Sequence, residues 1–220
     1  MQVIGLWSGG KDSCFACYKA KLQGYNFLSL FNFTDASSRN SLSHGLSSQI
    51  IRKQVSLLDI PLLQKAMPKQ DYREEFKNVI NEWKKNAGIA GIVFGDIYLQ
   101  EHKDWIDKVC SELNVEPILP LWKEDTRDLI NVFIKAGFKA KIVSTDAKFL
   151  GEEWLGREVD QELVKDLGNL GNIDLCGEKG EFHTFVTSGP LFKKRIEITK
   201  SRKRYMNGRW FLDILEWKIV

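Results

Sequence analysis

The chain of 220 residues is poor in the residues that build disulfide-rich or zinc-stapled folds. It has four cysteines, five prolines and three histidines, and its Cys and His residues do not have zinc-site spacing. Disulfide scaffolds and zinc modules are therefore excluded, and free cysteines indicate a reducing, cytoplasmic location. Since no apolar run reaches the roughly 18 residues of a membrane span, we expect no membrane association.

A strong charge of one sign is also missing. The formal net charge is +3, with 43% hydrophobic and 28% charged residues. This balance is typical of a globular chain with a proper core and gives no reason to expect a nucleic-acid partner. The one basic stretch, residues 193–195 and 200–204, fits a solvated edge strand. Contact with RNA or an acidic protein is the alternative.

The N-terminus has the pattern of a phosphate-binding loop. An apolar run, residues 2–7, leads into the turn residues SGGKDS and then into a helical pattern. Adjacent glycines let the backbone approach an anion, and a helix N-terminus favours negative charge. A lysine in the turn adds a full positive charge. We therefore expect these six residues to bind nucleotide phosphates: Ser8, Gly9, Gly10, Lys11, Asp12 and Ser13.

This loop is close to a Walker motif but departs from it. Gly5, Gly10 and Lys11 satisfy the spacing, yet the next position must be Ser or Thr to bind Mg²⁺, and here it is Asp12. The segment instead resembles the S-G-G-x-D-S loop of the ATP pyrophosphatase (PP-loop) superfamily. That resemblance implies cleavage of ATP between the α- and β-phosphates, with the leaving pyrophosphate held in the loop.

The first 120 residues alternate between strand and helix patterns. We predict strands at 2–7, 26–32, 61–65, 91–95 and 117–119, and helices at 12–22, 45–58, 72–86 and 102–113. Such alternation is typical of an α/β, Rossmann-like (HUP) domain with a parallel sheet. Ligands of such sheets bind beyond the carboxyl ends of the strands. Four further residues are therefore expected at the nucleotide: Asn32, Phe33, Gly95 and Asp96.

Residues 121–220 have a different pattern, which predicts a smaller α+β domain closing over the crevice. Helices are expected at 125–136 and 152–167, and strands at 140–144, 181–186, 195–205 and 210–219. The dipeptide Asn207-Gly208 is a strong hairpin signal between the last two strands. This sheet should therefore be mostly antiparallel.

Residues 174–185, DLCGEKGEFHTF, form a second polar cluster. Two glycines bracket an acid, and Glu181 and His183 would share one face of a strand. Such a cluster can bind an amine, a cation or a polar substrate, and it can move protons. The alternative is a polar loop that merely enters an edge strand.

Together, residues 8–13 and 176–185 resemble the diphthine–ammonia ligase family, a branch of the ATP pyrophosphatases. Further similarity lies at residues 95–97 (GDI), 153–157 (EWLGR) and 190–192 (PLF). The resemblance implies activation of a carboxylate by ATP as an acyl-adenylate, followed by displacement of AMP by ammonia. The family's product is diphthamide, a modified histidine of elongation factor 2.

The resemblance also implies roles for particular residues, and it places His44 near the nucleotide. The expected catalytic residues are Lys11, Asp12, Glu178 and Glu181. The expected acceptor-binding residues are Gly177, Glu178, Gly180, Glu181, His183 and Thr184. Mg²⁺ should arrive with ATP, with Asp12 as first and Asp96 as second candidate ligand. The expected partners are ATP, ammonia, a small-molecule or protein-borne carboxylate, elongation factor 2 in an archaeal or eukaryotic source, and a second copy of the chain.

Two departures leave the acceptor open. Lys179 stands where the archaeal and eukaryotic pattern has Gly, and His183 stands where it has Glu. Both lower the negative charge where the trimethylammonium group of diphthine would sit, and both are similar to bacterial relatives. Two alternatives therefore stay open: a tRNA-modifying adenylating enzyme and a non-catalytic nucleotide-binding sensor.

Overall fold

A computed structural model describes residues 1–37, 39–42, 44–68 and 70–220. Its N-terminal half consists of β1 (Gln2–Leu6), α1 (Lys11–Leu22), β2 (Asn26–Thr34), α2 (Ser48–Val55), β3 (Leu62–Ala66), α3 (Tyr72–Ala87), β4 (Gly91–Val93), α4 (Gln100–Leu113) and β5 (Glu116–Ile118). The strands pair in the order β3-β2-β1-β4-β5, and every neighbouring pair is parallel. The predicted α/β fold is therefore confirmed, with its switch point between β1 and β4.

The C-terminal half forms a second sheet. Its elements are α5 (Thr126–Lys135), β6 (Lys139–Asp146), α6 (Gln161–Leu170), β7 (Phe182–Ser188), β8 (Ile196–Met206) and β9 (Arg209–Ile219). The order is β7-β6-β9-β8, and the pairs are antiparallel. Asn207 and Gly208 both have positive φ, 51° and 79°, as a tight hairpin turn requires. The predicted antiparallel sheet is confirmed.

The helix predicted at 152–167 is wrong in its extent. Residues Glu152–Trp154 form one 3₁₀ turn, and α6 begins only at Gln161. Gly156 has a φ of 84°, which a right-handed helix cannot contain. Asp160 then caps α6 by accepting a hydrogen bond from the Leu163 amide at 2.9 Å. Both breaks are visible in the sequence as a glycine and an N-cap residue.

The parallel sheet buries a different cluster on each face. One face packs under α3 and α4 through residues such as Phe76 and Ile106. On the other face, α1 continues into the core of the C-terminal half, where Phe15 meets the rings of Phe133 and Phe138 at 5.7 and 5.8 Å. The predicted division at residues 120 and 121 stays a prediction, because the two halves share this core.

The second part of the basic stretch, residues 200–204, lies on β8, at the edge of its sheet. Lys200 pairs with Glu216, and Arg202 and Arg204 pair with Asp213 on the neighbouring strand. These carboxylates neutralise much of the charge, which supports the solvated-edge interpretation. Within the described residues, no helix has the length and apolar character to cross a membrane.

Candidate active site

The loop between β1 and α1 folds around hydrogen bonds of its own hydroxyls. The Oγ atoms of Ser8 and Ser13 lie 2.9 Å apart, and the Gly10 amide donates to Ser8 Oγ at 3.3 Å. Gly9 has a φ of 86°, which a residue with a Cβ adopts only under strain. Gly10 is the N-cap of α1 and leaves the first turn without a side-chain cap. The Lys11 amide donates to Thr184 Oγ1, and the amides that follow it in that turn form an anion-binding surface.

A buried glutamine fixes the orientation of this loop. The Gly9 carbonyl accepts hydrogen bonds from Gln54 Nε2 at 3.0 Å and from the Val186 amide at 2.9 Å. Because the peptide is planar and trans, the N–H of Gly10 must point the opposite way. Gln54 also donates to the Val186 carbonyl at 2.7 Å and accepts from Trp7 Nε1 at 2.8 Å. One amide therefore joins α2, the loop and β7.

Sequence reasoning missed Gln54, although its signal was present. It lies on the apolar face of α2 beside Ile50, Ile51 and Val55, where a polar side chain is out of place. The side chain is fully buried. A polar residue at such a position needs internal hydrogen bonds, and here they go to the loop.

Replacing Gln54 by leucine is expected to lower the free energy of unfolding by about 2 kcal/mol. The change leaves the indole of Trp7 and the carbonyl of Val186 without their buried partner. ATP affinity should fall with it, because the Gly9 peptide loses one of two anchors. Gln49→Leu is the matched control, since Gln49 is exposed on the same helix. Urea unfolding and ATP titration of both variants measure the difference, and equal stability would contradict the role.

Lys11 lies beneath the loop and does not line the crevice. Its ammonium contacts Asp12 Oδ2 at 2.9 Å and the carbonyl of Cys176, and the side chain is buried. Burial lowers the pKa of Lys11 and is the largest single effect. The charges of nearby groups, Asp12 foremost, and the hydrogen bond to Asp12 together raise it by more, so the pKa lies above its ordinary value. Direct contact of Lys11 with phosphates stays a prediction. The Lys11 amide donates to Thr184 Oγ1 at 3.0 Å, so Thr184 supports the loop.

A crevice of about 310 Å³ opens beyond the carboxyl ends of β1, β2 and β4. Eleven residues predicted for the site line it: Ser8, Asp12, Ser13, Asn32, Phe33, His44, Gly95, Asp96, Gly177, Glu178 and His183. Six others do not: Gly9, Gly10, Lys11, Gly180, Glu181 and Thr184. The structure thus brings both predicted clusters to one cavity.

Aromatic side chains line the crevice near the carboxyl ends of β2 and β4. Phe31, Phe94 and Tyr72 line it although they were not predicted. Asn32 is also present, but its amide donates to the Trp7 carbonyl at 2.8 Å and accepts from Gln64 at 3.0 Å. Its side chain therefore holds the ends of β1 and β2 together.

Gly95 allows the loop after β4 to lie directly on α1. A Cβ at this position would stand 2.8 Å from the Ser13 nitrogen and 2.9 Å from the Asp12 carbonyl carbon. Both are backbone atoms, so no rotamer change relieves the contact. Glycine is required here by close approach, and the approach sets the depth of the crevice.

Glu178 reaches the same place from the C-terminal half. Its Oε1 accepts hydrogen bonds from the amides of Ile97 at 2.9 Å and Tyr98 at 3.4 Å. Burial raises the pKa of Glu178 to about 7, and the charges of Asp12 and Asp96 add to the effect. A carboxyl group that titrates near neutrality can take and return protons.

Asp96 has a different partner. It accepts a hydrogen bond from His102 Nδ1 at 2.9 Å, and this bond raises the pKa of His102. His102 also lines the crevice. The acidic wall therefore contains one carboxylate held by an imidazole and one, Glu178, held by backbone amides.

Glu181 shapes the loop that carries Glu178. Its carboxylate is buried, and Oε1 accepts from the Asp174 amide at 3.0 Å. Asp174 Oδ1 in turn accepts from the amides of Cys176 at 2.9 Å and Glu178 at 3.2 Å. Gly177 completes the turn with a φ of 68°. Contact between Glu181 and an acceptor stays a prediction, and the structure shows a supporting position.

Two imidazoles close another side of the crevice. The rings of His44 and His183 are stacked, with centroids 4.6 Å apart and planes 17° apart. Burial lowers the pKa of both, that of His44 to about 3. Both rings are therefore neutral at pH 7, and this wall is polar but uncharged.

The Cys14-x-x-Cys17 pair on α1 is buried against the sheet. Burial raises the pKa of both thiols above the ordinary value, so neither ionises near neutral pH. The thiolate is the reactive form of cysteine. Sulfur chemistry at this pair is therefore not supported.

Comparison with known proteins identifies the family independently of the site's geometry. Residues 1–117 match the model of the diphthamide synthase N-terminal domain, and residues 125–220 match that of the C-terminal domain. A diphthine–ammonia ligase of Danio rerio is 27% identical over 90% of this chain and 86% of its own length. One from Homo sapiens is 27% identical over 91% and 84%.

Two further similarities are more limited. A diphthine–ammonia ligase of Schizosaccharomyces pombe is 26% identical over 90% of this chain but only 36% of its own length. A solved structure described as a predicted subunit of tRNA methyltransferase from Methanocaldococcus jannaschii has a TM-score of 0.49 at 16% identity, covering 86% of this chain and 98% of its own. That likeness is too weak to carry an argument. From the two family models, which span nearly the whole sequence, the chain belongs to the diphthamide synthase family.

Proposed function

We propose that this chain is an ATP-dependent ligase of the diphthine–ammonia ligase type. It adenylates a carboxylate, releases pyrophosphate, and forms an amide when ammonia displaces AMP. The observation that carries the proposal is the meeting of the α1 N-terminus and Glu178 in one crevice. The first site binds phosphates and the second moves protons. The names of the relatives support the same activity.

The crevice offers separate surfaces to the two ends of ATP. Phe31, Phe33 and Phe94 give the base an apolar, aromatic surface, while the phosphates lie on the Ser8–Ser13 side. The cavity of about 310 Å³ is of the size that small-ligand sites have. ATP therefore binds with its triphosphate against the first turn of α1.

The first chemical step follows from this placement. A carboxylate oxygen of the acceptor attacks the α-phosphorus, and the bond from that phosphorus to the bridging oxygen breaks. The electron pair leaves with pyrophosphate, whose charge is stabilised by the helix N-terminus and the loop amides. The loop that carries these donors is held in place by Gln54, Thr184 and its own hydroxyls.

The residues present fit a magnesium ion that enters with the nucleotide. No three His, Cys, Asp or Glu side chains of the described residues are grouped to hold a metal by themselves. Mg²⁺ on nucleotide phosphates needs only one or two protein carboxylates. Asp12 lines the crevice, and one of its oxygens is held by Lys11. The ion, when bound, would neutralise phosphate charge, and Asp12 with Asp96 would hold it.

The second step uses Glu178. Ammonia attacks the acyl carbon, the acyl–oxygen bond to AMP breaks, and the attacking nitrogen loses one proton. Glu178, with its pKa near 7, takes such a proton inside the crevice. Which carboxylate is used, including the diphthine of elongation factor 2, depends on the acceptor surface around Lys179 and His183.

AMP and pyrophosphate are the expected products, and Asp12→Asn is expected to lower turnover about a hundredfold. The loss should exceed the loss of ATP affinity, because Asp12 acts on charge that develops in the reaction. Asp59→Asn is the control, since Asp59 is exposed, pairs with Lys193 and does not line the crevice. Chromatography of the nucleotide products with Mg²⁺, ammonium and diphthine-bearing elongation factor 2 is the measurement. ADP as the main product would overturn the proposal.

A further inference from the structure

A second cavity, of about 400 Å³, adjoins the nucleotide crevice. Leu42 and His183 line both cavities. The β8–β9 hairpin supplies four side chains of the second cavity: Arg204, Met206, Arg209 and Phe211. Asp35, which follows β2, also lines it. A molecule in each cavity would therefore meet its neighbour at the His183 ring.

Arg209 is the cation in this cavity with unused donor capacity. Its Nη1 donates to the Gly180 carbonyl at 2.9 Å, and its Nε donates to Ser144 Oγ at 3.3 Å. The nearest carboxylate oxygen, on Asp146, is 4.0 Å from Nη1. Nη2 is buried and has no hydrogen-bond partner among the residues that the structure describes. A half-buried guanidinium with an unpartnered N–H group gains from an anion beside it.

The other arginine of the cavity is already satisfied. Arg204 donates to both oxygens of Asp213 at 3.1–3.3 Å. Its guanidinium also lies 4.9 Å from the centroid of the Phe211 ring. Arg204 therefore forms a neutral wall, and the positive potential in this part of the cavity comes from Arg209.

The charge of Arg209 acts on His183, and a carboxylate lines the same cavity. Burial lowers the pKa of His183, and the charge of Arg209 lowers it further. Asp35 lines the same cavity and is held as a carboxylate, because a hydrogen bond from Ser37 at 2.6 Å lowers its pKa. The cavity thus contains a guanidinium with one N–H group that has no partner among the described residues, and a carboxylate.

We propose that the second cavity binds the acceptor, and that the Arg209 guanidinium holds its carboxylate beside His183. The inference rests on the proposed function and adds to it the site and the residue that select the substrate. The carboxylate then lies at the wall shared with the nucleotide crevice, from which an oxygen reaches the α-phosphorus. A positive charge on the acceptor is accommodated by Asp35.

Binding of two small carboxylates tests the site without any turnover. The probes are acetate, which has the carboxylate alone, and trimethylglycine, which adds a quaternary ammonium group. Saturation-transfer NMR on the full chain gives their affinities. We expect saturable binding of both, tighter for trimethylglycine. Arg209→Gln should weaken it by about 10- to 100-fold, the loss of a charge-assisted pair. Arg202→Gln is the control, since Arg202 is exposed on the same hairpin.

Calorimetric titration with ATP reports on the fold of each variant. Lost carboxylate binding in Arg209→Gln with unchanged ATP affinity supports the proposal, and unchanged carboxylate binding overturns it. If Arg209→Gln does not fold, Met206→Glu decides, because Met206 is exposed at the cavity. A negative charge there should repel both probes, and full affinity would overturn the proposal. Carboxylate binding without any AMP formation would refute the proposed ligase activity and leave this site standing.

Discussion

Replacing Gly95 by alanine is expected to weaken ATP binding about 10- to 100-fold. The added methyl group would stand 2.8 Å from the Ser13 nitrogen and 2.9 Å from the Asp12 carbonyl carbon. Since backbone cannot rotate away, α1 or the loop after β4 must shift. Either shift moves the helix N-terminus at which we propose that the phosphates bind. Calorimetric titration with ATP and Mg²⁺, well below the melting temperature, measures the loss.

Gly168→Ala is the matched control for that variant. Gly168 lies inside α6, and a Cβ there would meet only Arg127 Nη2, at an ordinary 3.7 Å. Alanine in a helix interior is stabilising by up to about 1 kcal/mol relative to glycine, so this variant should fold and bind ATP normally. Unchanged ATP affinity in Gly95→Ala would show that the phosphates bind elsewhere.

Glu178→Gln is expected to lower the rate of amide formation by about 10²- to 10⁴-fold. Glutamine keeps the oxygen that accepts from the Ile97 amide, so the loop should keep its position while the proton acceptor is lost. The wild-type rate should rise with pH through an apparent pKa near 7, where the carboxyl group ionises. That inflection should be absent in the variant, as pH–rate profiles would show. An unchanged profile would remove Glu178 from the chemistry.

The pH dependence of the free energy of unfolding is an independent test of the raised pKa of Glu178. The pKa of Glu178 is raised on folding, so the folded state prefers the protonated carboxyl group. The stability that this preference contributes is full below the ordinary pKa of glutamate and is lost as the pH rises to about 7. Glu178→Gln should therefore gain stability relative to wild type at pH 8 and lose this advantage at pH 4. Urea unfolding at the two pH values measures it.

Much of the fold could be predicted from the sequence because its signals are local. Strand and helix periodicity fixed the parallel sheet, and Asn207-Gly208 fixed the last hairpin. The error at residues 152–167 has a local cause as well. The acidic, helix-favouring composition outweighed Gly156 and Asp160, although the positive φ of the first and the cap of the second end any continuous helix there.

The site was predictable in its motifs but not in the direction of its side chains. Asp12 and Glu178 line the crevice as expected. Lys11 was equally expected in the crevice, but it is buried under the loop against Cys176. Glu181 instead supports Asp174. These outcomes depend on which sheet covers which face of α1, a long-range packing fact. Arg209 was missed for the same reason, since only the fold brings β9 to His183.

The continuous core around α1 has an evolutionary consequence. The loop between β1 and α1 is completed by Val186 and Thr184 of the second sheet, so we expect that the C-terminal half cannot be exchanged as an independent module. A recombined chain would lose the anchors of its own phosphate loop. On this scaffold we therefore expect a new acceptor to require substitutions in place rather than exchange of the second half. His183, which lines both cavities, is the position where we expect such a change to alter the substrate and leave the phosphate loop in place.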